Sequence, residues 1–532
     1  MKSTISHLFS QIPQANIERS TFDRSHGHKT TFDAGYLIPV FVDEALPGDT
    51  FNLKMTAFAR LSTPIKPIMD NIVMDSFFFA VPLRILWADF KRFMGEQTNP
   101  GDSTSYLVPQ TAPPTGGYTY ASLSDYFGIP TGKDSFTHSA FWHRGYNAIW
   151  NEWFRDENLQ GSVGVPTDDG PDSYTLYNLL RRGKRKDYFT SSLPWPQKGT
   201  AVQLPMQGNA IIKTSTSDLI TGVQTSGVRF RETTSGNPVA SNVATLLGAS
   251  TGTFYGATAN GGLSLGNPQY PANLYADLST VTAATVNQLR QAFQIQKLLE
   301  RDARGGTRYI ELVHSHFGVV SPDARQQRPE YLGGGSSPVN IAPVVKTAST
   351  DATSPQGNLA AYGHATIHGH GFVKSFTEHC VIIGLVCVRA DMTYQQGLNK
   401  MFSRSTRYDY YWPALAHIGE QSILNQEIYL QGNASDTNVF GYQERYAEYR
   451  YKPSVITGKF RSTNATPLDV WHLAQNFTSL PTLGSTFIQE NPPIARIQAV
   501  TTEPHFLFDS YFDFKCARPM PVYSVPGLID HF

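Results

Sequence analysis

In the stretch LLRRGKRKDYF, residues 179–189, five basic side chains crowd into six positions: Arg181, Arg182, Lys184, Arg185 and Lys186. Cations at that density can pair with the phosphate oxygens of a nucleic acid without reading its sequence. A solvated loop, or salt bridges between subunits, would use the same residues. Histidines offer a second chemistry. His26 and His28, His314 and His316, and His368 and His370 in HATIHGHGF (which begins at His364) share the H-x-H spacing. On a strand that spacing puts two imidazoles on one face, as in some metal sites. No nearby cysteine or paired carboxylate completes a ligand set, so the rings read as hydrogen-bonded structural groups, and neither metal nor cofactor is expected.

Catalytic spacings occur but lack their context. GASTG at 248–252 has the nucleophile-elbow pattern around Ser250, yet no helical pattern follows it. GIPTGK, ending at Lys133, is one residue short of a phosphate-binding loop and lacks the hydroxyl that would hold magnesium, so it reads as a turn. The glycines at 333–335 stand between RPEYL and SSPVN, loop chemistry on both sides. No catalytic residue is assigned, and an enzyme is not expected.

The chain as a whole exerts no strong field. Its 43 Lys and Arg balance 43 Asp and Glu, and only 16% of its residues are charged, against about 25% in typical domains. Contact with a polyanion must therefore be local. Aromatic residues make up 12%, which suits burial within the chain or against other subunits. Cys380, Cys387 and Cys516 are too few for a disulfide framework. Cys380 and Cys387 fall on one strand at an odd separation and so point to opposite faces. A reducing cytoplasm is the expected site of folding, since the N-terminal residues lack the apolar run of a signal peptide and no stretch approaches the ~20 apolar residues of a membrane span.

Strands must position these residues. In FNLKMTAFARL, Phe51, Leu53, Met55, Ala57, Ala59 and Leu61 alternate with mostly polar neighbours, the period of a half-buried strand. Phe506, Phe508, Phe512, Phe514 and Cys516 repeat it near the other end, with Asp509, Asp513 and Lys515 facing away. SFFFAVPL reads as a strand covered on both faces. Strong strands at 32–82, 372–390 and 505–516 predict one sandwich completed from both ends of the chain, with no βαβ rhythm. Two helices interrupt it. Trp142, Tyr146, Ile149, Trp150 and Trp153 form an aromatic stripe at helical spacing, core or interface rather than a ligand platform. Thr285 and Gln288 make a capping box for a second helix, which runs to Gly305 and carries Leu289, Ala292, Phe293, Ile295 and Leu299 on one face. Residues 199–285 carry only six charged side chains and are rich in Ser, Thr, Gly, Ala and Asn, which reads as an exposed insertion of short strands and turns.

A resemblance is carried by DSFFFAVPLRILWADFKRFMGE, YNAIWNEWFRDENLQ, LERDARGGTRYIELVHSHFGVVSPDARQQRPEYLGG and FGYQERYAEYRYKPSVITGKFR. These blocks resemble the major capsid protein of microviruses, in particular the gokushovirus branch of small single-stranded DNA bacteriophages. The resemblance implies a mainly β fold, an eight-stranded antiparallel jelly roll with long inter-strand insertions containing a few helices. It implies self-assembly, through pentameric units, into a T=1 icosahedral shell around a circular single-stranded DNA genome, assembled in the host bacterial cytoplasm. Further partners implied are a DNA pilot protein, a small basic DNA-packaging protein, an internal scaffolding protein and a host surface receptor. Four segments follow: an N-terminal arm at 1–30, the first jelly-roll strands with a helix-containing insertion at 31–198, the surface insertion at 199–285 as a threefold protrusion used in host attachment, and helix, long loops and remaining strands at 286–532. Arg181, Arg182, Lys184, Arg185 and Lys186 would line the inner wall. The reading of a different class, a β-rich carbohydrate-active or glycan-binding protein, would need paired carboxylates in a groove.

Overall fold

An alternating strand buries its apolar face only where a second apolar surface covers it. In the computed structural model, which describes residues 18–203, 285–319, 327–352 and 354–523 with short backbone stretches between 211 and 277, a second sheet provides that surface. Ten strands build the pair: β1 (Ser20–Asp23), β2 (His26–Phe32), β3 (Ile38–Ala45), β4 (Thr50–Leu61), β5 (Ile72–Pro82), β6 (Glu330–Pro338), β7 (Asn340–Val345), β8 (Leu359–Ser375), β9 (Cys380–Ala390) and β10 (Phe506–Arg518). One sheet runs β10, β4, β8, β7, with β1 and β2 pairing successive parts of the free edge of β10. The other runs β6, β5, β9, β3. All these pairings are antiparallel.

The alternating residues of β4 and β10 all point into the shared core. There the rings of Phe41 and Phe512 lie 5.2 Å apart, those of Phe78 and Phe372 5.7 Å, and those of Phe51 and Phe514 4.9 Å. Burying one such ring contributes about 1.5–3 kcal/mol. The outer face of the second sheet is covered as well, by helix α1 (Phe141–Ile149). Burial on both faces explains why apolar residues occupy successive positions in Phe77–Val81 of β5 and through most of Cys380–Val388 of β9. Cys380 faces the core between the sheets and Cys387 faces α1. Both thiols are free, and burial pushes each up to about 12.

Helix α1 is held by a buried cation. Arg144 places Nε 2.7 Å from Asp172 Oδ2 and Nη2 2.6 Å from Asp172 Oδ1, while its Nη1 donates to the carbonyls of Leu86 and Asp168 at 2.9 and 3.0 Å. After Ile149 the helix widens into a π turn, Trp150–Phe154, with the Arg155 N–H donating to the Trp150 carbonyl at 2.9 Å. The wider turn rotates the stripe. Tyr146, Ile149 and Trp150 stay buried, but Trp153 emerges at the surface.

Two stretches expected outside the sheets belong to them. Residues 333–335 lie in β6 and pair with β5, with a register shift beside Gly333. Glycine is required at this edge: a Cβ on Gly333 would overlap the Gly371 carbonyl of β8 in the facing sheet, one on Gly335 would sit 2.6 Å from His370 Nε2 of the same strand, and one on Gly334 would overlap the Ser76 carbonyl of its pairing partner β5. The arm expected through residue 30 is, from Ser20, sheet as well.

The chain divides into two compact units, Met1–Pro196 with Gly305–Phe532, and Gln197–Arg304. In the second, three short antiparallel pairs nest one inside another: Ile211–Thr214 with Leu274–Asp277, Phe230–Glu232 with Gln269–Pro271, and Leu247–Gly248 with Phe254–Tyr255. Helix α2 (Val286–Arg304) also belongs to this unit. Its capping box forms as expected: the Thr285 N–H donates to Gln288 Oε1 at 2.8 Å and the Gln288 N–H to Thr285 Oγ1 at 3.2 Å. Within the unit Phe293, Ile295 and Leu298 remain exposed. Among the described residues no helix is long and apolar enough to cross a membrane.

Candidate nucleic-acid interface

The basic segment is zipped in place on both sides. The Leu37 N–H donates to the Leu180 carbonyl at 3.0 Å and the Arg182 N–H to the Gly35 carbonyl at 2.9 Å. On the other side, the Lys184 N–H donates to the Ile488 carbonyl and the Glu490 N–H to the Arg182 carbonyl, both at 2.7 Å. An extended backbone so fixed sends successive side chains to opposite sides.

The five cations therefore meet different fates. The Arg181 guanidinium lies 3.9 Å from the Tyr36 ring centroid, and its Nη1 donates to the carbonyls of Glu490 and Ala34 at 3.1 and 3.3 Å. Arg182 pairs with the buried Asp75, which also takes Arg389 Nε at 2.7 Å and the Ser336 hydroxyl. Burial works to raise the Asp75 carboxyl, but hydrogen bonds from Arg389, Ser336 and Arg182 outweigh it and hold the group below its usual range. Lys184 is buried with Nζ 4.6 Å from the Phe487 ring centroid. Burial pulls its ammonium below the usual lysine range, against the nearby charges of Glu490 and Asp187. Arg185 and Lys186 alone keep exposed side chains, 58% each, the first 3.7 Å from Asp391 and the second paired with Asp156.

Arg182, Lys184, Arg185 and Lys186 nevertheless line one cleft of about 480 Å³, which Arg181 does not reach. Its floor is aromatic: Phe77 and Phe79 from β5, Trp153 and Phe154 from the π turn, and Tyr331 from β6. Sequence reasoning found the cations and missed these rings. The stripe through Trp153 gave a signal, but it reads as core or interface rather than as a ligand platform.

The histidine spacings do not converge. His26 and His28 do share a face of β2, where the His26 ring packs 5.8 Å from Phe41 and 5.3 Å from Phe512. His314 and His316 stand on helix α3 (Tyr309–Phe317) instead of a strand, and a spacing of two turns them apart. A bulge between Ile367 and His370 divides the third pair, leaving His368 exposed while His370 Nδ1 meets Ser76 Oγ at 2.8 Å. Among the described residues no three His, Cys, Asp or Glu side chains are grouped to hold a metal ion. Ser250 of GASTG lies outside the described residues.

A family model described as capsid protein (F protein) matches residues 10–528. The chain is 48% identical to a capsid protein VP1 of Bdellovibrio phage phiMH2K over 99% of its own length and 98% of that protein's. It is 46% identical to capsid protein VP1 of Chlamydia phage 1, with the same coverage, and 36% identical to that of Spiroplasma virus 4, over 98% of this chain and 97% of the relative.

Proposed function

Since the chain belongs to the capsid protein (F protein) family of microviruses, we propose that its copies close into a T=1 icosahedral shell around a circular single-stranded DNA genome. It is a structural protein of a bacteriophage virion and not an enzyme, so the carbohydrate-active reading falls away.

The observation that carries the architectural part is strand order. Counting β2, β3, β4, β5, β6, β8, β9 and β10 as first to eighth, one sheet reads first, eighth, third, sixth and the other fifth, fourth, seventh, second. That supports a jelly roll built of two Greek keys, with β1 and β7 as additions at the edges. Assembly draws support from aromatic side chains left at the surface, Phe402, Tyr408, Tyr410, Tyr411, Trp412 and Tyr449 among them. Aromatic residues are enriched where protein surfaces meet. Residues 199–285 supply the host-attachment surface, supported by their sparsely charged, Ser/Thr-rich composition.

On this reading the genome touches Arg185 and Lys186, because Arg181, Arg182 and Lys184 are engaged within the subunit. A neutral chain also leaves most genome charge to the small basic packaging protein. Scaffolding and pilot proteins complete assembly in the bacterial cytoplasm. The test is DNA content. Phage carrying Arg185→Glu with Lys186→Glu should yield particles with a lower ratio of DNA to protein, read from absorbance of purified particles. A normal ratio would remove the phosphate contact.

A further inference from the structure

We propose that the aromatic-floored cleft beside Arg185 and Lys186 takes an unpaired nucleobase, stacked on Trp153 and Tyr331, from a single-stranded segment whose phosphates lie at the basic rim. This rests on the reading that the protein encloses single-stranded DNA, and extends it from phosphate contact to base contact.

Trp153 and Tyr331 are each 42% exposed, although both pack against the buried Phe79. Their ring centroids are 6.1 Å apart, with Phe79 behind them at 5.7 and 5.5 Å. Neither ring is loose. The Trp153 indole N–H donates to the Pro329 carbonyl at 2.9 Å, and the Arg328 guanidinium lies 5.5 Å from the centre of that ring. Tyr331 is fixed by the pairing of β6 with β5, directly opposite Phe79. Two rigid, half-exposed rings over a closed aromatic floor offer flat faces for a base to cover, and every base has a matching π face.

The cations point the same way. Those deepest in the cleft are drawn inward, Arg182 by its pairing with Asp75 and Lys184 by packing over the Phe487 ring, with the charges of Glu490 and Asp187 nearby. The exposed charges of Arg185 and Lys186 stand at the rim, where a backbone would run if its base pointed inward. Each already faces a carboxylate, Asp391 or Asp156, so phosphate must compete for it. Stacking then carries much of the binding and salt dependence is shallow. Two phosphates at about −0.7 each give a log–log slope no steeper than about −1.4. A duplex is disfavoured because its bases already stack on one another.

The test uses the full-length protein and fluorescence anisotropy with three labelled probes of about twelve nucleotides, within the usual reach of a single-strand site: oligothymidylate, an abasic strand of equal length, and a duplex. Oligothymidylate should bind about ten-fold tighter than the abasic strand or the duplex. Trp153→Leu and Tyr331→Leu should each remove most of that advantage and leave abasic binding unchanged. Trp153→Phe, which keeps a stacking face, should restore it and guards against simple misfolding. Equal binding of oligothymidylate and the abasic strand, or aromatic variants that bind oligothymidylate normally, would overturn the proposal. If the abasic strand still binds and Arg185→Glu with Lys186→Glu weakens it, the phosphate reading survives that failure. If no strand binds and charge reversal changes nothing, both fail.

Discussion

At the scale of single residues, the buried polar groups around α1 give the subunit a pH dependence. The His143 ring is held down to about 3 from an ordinary 6.5, by burial first and then by the neighbouring His138, against the pull of Asp172. Its Nε2 lies 2.9 Å from Ser124 Oγ. An unfolded chain takes up this proton near pH 6.5 and the folded chain only near pH 3, so between those values protonation favours unfolding. Stability is therefore complete above about pH 6.5 and declines as pH falls, by up to about 1.4 kcal/mol per pH unit from this site. Burial also lowers His28, His138, His370 and His505, which steepens the descent. His143→Gln keeps a polar partner for Ser124 without the titration. Its thermal midpoint should fall less than that of the unaltered subunit between about pH 6 and 4; parallel curves would show that His143 is not a source of the loss.

At the scale of elements, what was legible depended on side chains having something to alternate. β4 and β10 announce themselves because nearly every second residue is apolar and the other face is mostly polar. β6 does not, because Gly333, Gly334 and Gly335 leave no side chain to show a period, packed as they are against β8 at Gly333 and Gly335 and against the β5 backbone at Gly334. β1 and β2 were hidden for another reason. Their polar sequence becomes strand only through pairing with β10, from the opposite end of the chain, as His26 does with Phe512. The candidate site divides similarly. Its cations form a visible cluster, whereas Trp153 is exposed only because the helix widens into a π turn, and Tyr331 lies in a segment that resembled a loop. Gly334→Ala tests the close approach: added bulk against the Ser76 carbonyl should cost about 1–3 kcal/mol. A denaturation midpoint unchanged from that of the parent would mean the edge is looser than described.

At the scale of the whole molecule, the chain separates a frame from an appended unit. The sandwich and its loops occupy Met1–Pro196 and Gly305–Phe532, while Gln197–Arg304 holds together through its own nested pairs. The frame is closed from both ends of the chain, and among the described residues none between 197 and 304 belongs to its core. Deleting residues 199–285 should accordingly spare particle formation and reduce adsorption to host cells, counted as unadsorbed phage. Normal adsorption would take attachment away from this unit, and loss of particles would make it a structural lock between subunits. Whether this sandwich is the repeating unit of a closed shell, as proposed, is measured most directly by cryo-electron microscopy of purified particles. A T=1 icosahedral lattice is expected, in which each subunit traces the two sheets in the orders given above; a different lattice, or a subunit whose strands pair in another order, would rule this assembly out.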